Sequence, residues 1–101
     1  MTAYSALAEP SRREILDLLR DGERSVGELV ARLHLSQPGV SKHLKVLREA
    51  GLVEVRPEGK RRWYGLRAEP LAEVADWLEP YRRHWSERFD ALEQHLEENP
   101  R

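Results

Sequence analysis

The sequence predicts an α+β chain that is mostly helical, with short helices leading into a β-hairpin and one long helix at the end. Three observations carry this prediction. Up to Ala50 the apolar residues recur at helical spacing, broken only at short polar or glycine-containing breaks. From Leu52 to Leu66 the period drops to two, around the turn-forming Pro57-Glu58-Gly59-Lys60. From Leu71 to Leu96 spacings of three and four return and persist.

Tyr4-Ser5-Ala6-Leu7-Ala8 reads as a short helix with Tyr4, Leu7 and Ala8 on one face. A second helix starts near Glu9-Pro10, because proline suits the first helical turn, and Gly22 stops it; its core face is Ile15, Leu16, Leu18 and Leu19. Ser25 caps a third helix whose Val26, Leu29, Val30 and Leu33 fit the i, i+3, i+4, i+7 template. After the break at Leu33-His34-Leu35, Ser36 caps a fourth helix with Pro38 in its first turn, where a missing N–H costs nothing. Val40, Leu44 and Leu47 form its buried stripe, and Gly51 ends it. Leu52–Arg56 and Arg61–Leu66 are the two strands of the hairpin. Pro70 opens the last helix, which runs to about Glu98 and leaves Asn99-Pro100-Arg101 as a loose tail. Its stripe continues across Pro80, so a bent helix or two nearly collinear ones are expected.

Length and composition exclude several classes. The 101 residues fit one domain, 1–101, with room for one modest core. No apolar run exceeds three residues, so no membrane span is expected, and Met-Thr-Ala-Tyr-Ser lacks the basic and apolar parts of a secretory signal. With no cysteine there is neither a disulfide nor a thiolate ligand, and the cytoplasm is the default location. There is no glycine-rich phosphate loop and no plausible nucleophile–base pair, so no enzyme and no cofactor are expected. The net charge of −1 hides a strong division. Residues 1–35 balance to −1, residues 36–67 to +5 and residues 68–101 to −5. Such a split puts a positive field on one part of the molecule, where a polyanion would bind.

Two helices joined by a tight turn and followed by a β-hairpin make a winged helix-turn-helix, here with a two-stranded wing and a long C-terminal helix suited to dimerisation. Opposite the buried stripe of the fourth helix lie Gln37, Ser41, Lys42 and Lys45. Amides and hydroxyls reach base edges in the major groove while lysines meet phosphates. Lys60, Arg61 and Arg62 at the wing tip would clamp phosphate, whereas Trp63 is expected to pack on the neighbouring strand. The last-helix stripe of Leu71, Val74, Leu78, Tyr81, Trp85, Phe89, Leu92 and Leu96 is longer than one small core needs. With Tyr4 and Leu7 of the first helix it predicts a homodimer interface formed by the first helix and residues 70–98, with aromatic anchors at its centre.

The residues from Leu7 to Leu19 ("LAEPSRREILDLL") and from Ser25 to Leu66, with Ser-Gln-x-x-Val-Ser-x-His-Leu followed by Leu-x-x-Ala-Gly-Leu-Val, resemble the ArsR-type winged-helix repressors of bacteria. The resemblance covers nearly the whole chain. It implies a homodimeric transcriptional repressor that binds an inverted-repeat operator of double-stranded DNA through helix 36–50 and wing 52–66. It adds Ser36 and His43 to the reading helix, although helical geometry sets His43 at the edge of the buried face, and Arg12 as a phosphate contact. Many members carry a Cys-x-Cys metal site in the third helix; Ser25-Val26-Gly27-Glu28-Leu29 stands there, so that site is absent. Other members bind zinc through Asp-x-His and His-x-x-Glu or His-x-x-His on the last helix. Here Arg82-x-His84 and His95-x-x-Glu98 imitate part of that set, but arginine occupies a carboxylate position. Counting from the wing instead places the ligands at Ala68, Pro70, Tyr81 and His84, which supplies one donor. No metal is expected, and any effector is unspecified. Two alternatives remain open at this point: a zinc-responsive repressor using His84, His95 and Glu98, and a winged helix that docks an acidic protein.

Overall fold

Helix starts and stops in this chain are written by a few side chains that satisfy otherwise orphaned backbone groups. A computed structural model describes residues 2–98, so the terminal Asn99-Pro100-Arg101 lies outside the described residues. The elements, in order, are α1 (Ala3–Leu7), α2 (Pro10–Leu19), β1 (Arg24–Ser25), α3 (Val26–Leu33), α4 (Gln37–Glu49), β2 (Val53–Glu58), β3 (Arg61–Leu66) and α5 (Glu69–Glu98).

Thr2 and Ser5 form a reciprocal capping box at the start of α1. Glu9 caps α2 through its carboxylate, which accepts from the Arg12 N–H, and Ser25 and Ser36 cap α3 and α4 as expected. The break between α3 and α4 turns on His34, which adopts the left-handed conformation at φ 56°. Helix α4 ends in a Schellman motif: the Gly51 N–H donates to the Arg48 carbonyl, the Leu52 N–H donates to the Leu47 carbonyl, and Gly51 has φ 77°. That tight stop delivers Leu52 and Val53 directly into the core.

The core comprises Ala3, Ala6, Ile15, Leu16, Leu19, Leu29, Val40, Leu44, Leu47, Leu52 and Val53, with no buried polar or charged residue among the described residues. It therefore draws on α1, α2, α3, α4 and the start of β2. Of the expected α2 face, Leu18 is only partly buried, and in α3 only Leu29 is fully buried, with Val26, Val30 and Leu33 packed around it.

The sheet departs from the two-stranded wing expected from the sequence. It has three antiparallel strands in the order β1-β3-β2, because Arg24 pairs with Tyr64 and Ser25 with Trp63. A two-residue strand has no period to read, and its pairing partner lies some forty residues away. The hairpin is also tighter than expected. Strand β2 continues through Pro57 and Glu58, leaving only Gly59-Lys60 as the turn, with Gly59 at φ 61°. A glycine of positive φ at the first central position is the pattern of a type II′ turn. Pro57 is tolerated because β2 is the edge strand.

Helix α5 is a single continuous element of 30 residues with Pro80 inside it, so the alternative of two collinear helices does not hold. Its first part packs on the core through Leu71 and Val74; from Tyr81 onward every residue to Glu98 is exposed. The molecule is accordingly elongated, 63 × 27 × 20 Å. Among the described residues, no helix is long and apolar enough to cross a membrane.

Candidate nucleic-acid interface

The candidate reading surface begins at the cap of α4. The Ser36 Oγ accepts from the Gly39 N–H at 3.1 Å, and Pro38 sits in the first turn. A Cβ at Gly39 would lie 3.1 Å from that same Oγ, so the glycine leaves the cap its room. Ser36 is thus engaged in starting the helix. Anchored from beneath by Val40, Leu44 and Leu47, α4 turns Gln37, Ser41, Lys42 and Lys45 to solvent. Arg48 is exposed beyond them and extends the cationic face, although the sequence reading did not single it out.

His43 is placed differently. Its side chain is 22% exposed, with Nε2 3.7 Å from Glu9 Oε2 and Nδ1 buried without a hydrogen-bond partner. It faces the start of α2, at the buried edge where helical geometry set it. Arg12 is likewise occupied within the fold: Nε donates to the Ala6 carbonyl at 2.6 Å and Nη2 to the Ser5 carbonyl at 3.2 Å. Arg13 donates to the Leu7 carbonyl at 2.7 Å. Together the two arginines satisfy the last carbonyls of α1, a role invisible to a reading that counts only charge.

The wing is tied to the helix-turn-helix through β1. Ser25 is both the residue paired with Trp63 of β3 and the N-cap of α3, accepting from the Glu28 N–H at 3.3 Å. Arg24 beside it donates to the Leu18 carbonyl at 3.1 Å, fixing β1 to the end of α2. Trp63 is half-buried with Ser25 and Arg56 as its strand neighbours, where packing on the sheet was expected. Lys60, Arg61 and Arg62 are exposed at the tip and form one wall of an open groove of about 690 Å³; its other wall is the first turns of α3, from Ser25 to Ala31.

Ion pairing divides the cations of this half of the chain. Arg56 on β2 donates from Nε to both Glu23 oxygens at 3.2 Å and from Nη1 to Glu58 at 3.0 Å. The hydrogen bond that Arg56 donates to Glu23, followed by the one it donates to Glu58, raises its pKa above the ordinary value. Arg24 lies near Glu28 and Arg67 near Glu69. By contrast, Lys42, Lys45, Arg48, Lys60, Arg61 and Arg62 have no carboxylate within ion-pair distance among the described residues. These six cations lie on α4 and at the wing tip, where a polyanion can supply the missing partners.

At the other end, Tyr4 donates from its hydroxyl to the Glu73 carbonyl at 3.3 Å and meets Trp77 edge to face, with centroids 6.2 Å apart. Trp77 in turn lies 5.1 Å from Tyr81. Trp77 was missed because the stripe was counted as one residue per turn, whereas 74, 77, 78 and 81 widen it toward α1. Of the residues expected at the dimer interface, Leu7, Leu71 and Val74 pack against this chain's own core and Leu78 is half-exposed. Tyr4, Tyr81, Trp85, Phe89 and Leu92 are exposed.

Among the described residues no three His, Cys, Asp or Glu side chains come together to hold a metal. His84 and His95 are eleven positions apart on one helix, about 16 Å along its axis, so one chain does not bring His84, His95 and Glu98 to a single ion.

Comparison with known proteins agrees with this architecture. Residues 9–55 match the family model of bacterial regulatory proteins, arsR family. The chain is 31% identical over 75 residues to the transcriptional repressor SdpR of Bacillus subtilis, covering 74% of this chain and 83% of that one. It is 45% identical over 84 residues to the HTH-type transcriptional regulator Rv2034 of Mycobacterium tuberculosis, covering 83% and 76%. It also superposes with a TM-score of 0.64 and 33% identity on the homodimeric winged helix-turn-helix DNA-binding domain of Mb0332 from Mycobacterium bovis, covering 83% and 78%. These relatives are regulators rather than enzymes. The capped α4, the wing joined to it and the relatives together establish that this chain belongs to the arsR family of bacterial regulatory proteins.

Proposed function

We propose that this protein is a homodimeric, sequence-specific DNA-binding repressor of transcription that acts in the cytoplasm on an inverted-repeat operator. The observation that carries the reading is the coincidence on α4 of amide and hydroxyl groups (Gln37, Ser41) with lysines that have no acidic partner (Lys42, Lys45). A surface that merely docks an acidic protein needs the charge and not the base-reading groups. Gln37 and Ser41 read base edges, Lys42 and Lys45 hold the flanking phosphates, and Lys60, Arg61 and Arg62 hold the backbone beyond. Ser36 positions this face through its cap. His43 and Arg12 support the helices behind it without touching the duplex.

Homodimerisation is supported by the homodimeric Mycobacterium bovis neighbour, and it doubles both base and phosphate contacts. Two α4 helices about 34 Å apart enter successive major grooves on one side of the duplex. The test is selection of bound duplexes from a random pool. An enriched inverted repeat with half-sites one helical turn apart is expected. Recovery of sequence-random duplexes overturns base reading, and failure to retain any duplex puts the protein-docking alternative in its place.

A further inference from the structure

The chain has 17 lysines and arginines, and only Lys42, Lys45 and Lys60 are lysines. All three are exposed on the proposed duplex-facing surface, two on α4 and one in the turn of the wing. None has a carboxylate within ion-pair distance among the described residues. The cations that work within the fold are arginines. Arg12, Arg13 and Arg24 donate to backbone carbonyls and Arg56 to Glu23 and Glu58, while Arg67 and Arg83 lie near Glu69 and Glu79. The two residue types differ chemically. A guanidinium keeps its charge, whereas a lysine amine loses it on acylation.

We propose that Lys42, Lys45 and Lys60 accept acyl groups from an acyl phosphate, and that their acylation releases the protein from DNA; the inference rests on the DNA-binding reading above. Each lysine has another cation beside it. Lys45 stands three positions from both Lys42 and Arg48, which makes them neighbours on the surface of α4. Arg61 and Arg62 follow Lys60, and the three form one wall of the open groove facing α3. Glu28 on the opposite wall is engaged by Arg24 at 3.7 Å and by the Ser25 hydroxyl at 3.3 Å. A surface that meets the phosphates of a duplex also holds the phosphate of a small dianion, and so brings its acyl carbon to an amine. The unprotonated Nζ attacks that carbon, the bond from the carbon to the phosphate oxygen breaks, and inorganic phosphate leaves with the electron pair. Nζ gives up one proton to water, and the product is a neutral amide.

The segregation of lysine from arginine gives this modification a narrow effect. Acylation has no side-chain target among the cations that cap helices or tie the wing to β1, so the modified chain keeps its fold. It removes every lysine charge from the duplex-facing surface at once and spares Arg48, Arg61 and Arg62. With three lysines in each of two copies, complete acylation flattens the dependence of log K on log salt by up to about 5.

The test treats the intact protein with acetyl phosphate, follows each acyl group by peptide mass, and measures duplex affinity before and after. Acylation of the three lysines is expected to saturate with acetyl phosphate and to be slowed by inorganic phosphate. It should run at least about tenfold faster than on a lysine in a short neutral peptide. A neutral acetyl thioester, which has no phosphate to hold, should show neither saturation nor this advantage. Affinity should fall by at least about a hundredfold with the flattened salt slope, while the urea midpoint stays in place. The Lys42→Arg/Lys45→Arg/Lys60→Arg variant, compared treated against untreated, should show no such fall, because arginine is not acylated. Acylation that does not saturate and runs at the peptide rate overturns the inference. So does an acylated protein that keeps its affinity, or an equal fall in the arginine variant. Each of these leaves the DNA-binding reading standing. An untreated protein that retains no duplex overturns that reading, and the inference with it.

Discussion

The division between paired and unpaired cations makes a quantitative prediction at the wing. Arg62 at the tip has no carboxylate partner among the described residues, whereas Arg56, six residues earlier, is held by Glu23 and Glu58. Each neutralised phosphate steepens the dependence of log K on log salt by about 0.9. A dimer carries two wings, so Arg62→Ala removes two contacts and flattens the slope by about 1.8. Between 50 and 200 mM salt, wild type then loses about twelvefold more affinity than the variant. Replacing Lys60, Arg61 and Arg62 together flattens the slope by up to about 5. The control is Glu23→Gln/Arg56→Gln, which removes a wing arginine without changing net charge; its slope stays at the wild-type value. The assay is fluorescence anisotropy on a labelled duplex at four or more salt concentrations. If the control flattens the slope as much as Arg62→Ala does, pairing does not decide which cations meet phosphate, and the sorting is refuted.

Other outcomes follow from the same geometry. Gln37→Ala is expected to lower discrimination at one base position by about 1–3 kcal/mol while leaving binding to random duplex unchanged; equal loss on both duplexes removes Gln37 from base reading. Ser36→Ala deletes the cap on the Gly39 N–H and should cost about 1 kcal/mol in urea unfolding, a cost absent if the cap is dispensable. Leu44, 1% exposed beneath the reading face, should cost about 2–5 kcal/mol on truncation to alanine, and a change under 1 kcal/mol would show that α4 is not anchored there. Added zinc should leave the melting temperature unmoved, since no donor cluster is present among the described residues; a rise of several degrees, abolished by His84→Ala, would restore the zinc alternative.

The parts legible in the sequence were those with a local cause. Ser25, Ser36, Pro38 and Gly51 act within one helical turn of themselves, so each helix boundary near them was readable. The buried stripes of α2 and α4 were readable because burial and period coincide there. What escaped depended on distant partners. Strand β1 exists only because Tyr64 and Trp63 lie beside it. Arg56 meets Glu23 across 33 positions, and nothing in the sequence separates it from the unpaired arginines of the wing tip. Arg12 looked like any exposed helix cation until the carbonyls of α1 were placed against it. The place of His43 was readable by geometry: the helical wheel set it at the buried edge, where it faces Glu9.

The central claim is sequence-specific DNA binding by α4 and the wing. Its most direct test is an anisotropy titration of the intact protein on duplex from upstream of its own gene and on a scrambled duplex of equal composition, each at low and physiological salt. The account predicts tight binding to the native duplex, at least a hundredfold preference over the scrambled one, and weakening of both by salt. Equal affinity for the two duplexes, or no binding even at low salt, would contradict it.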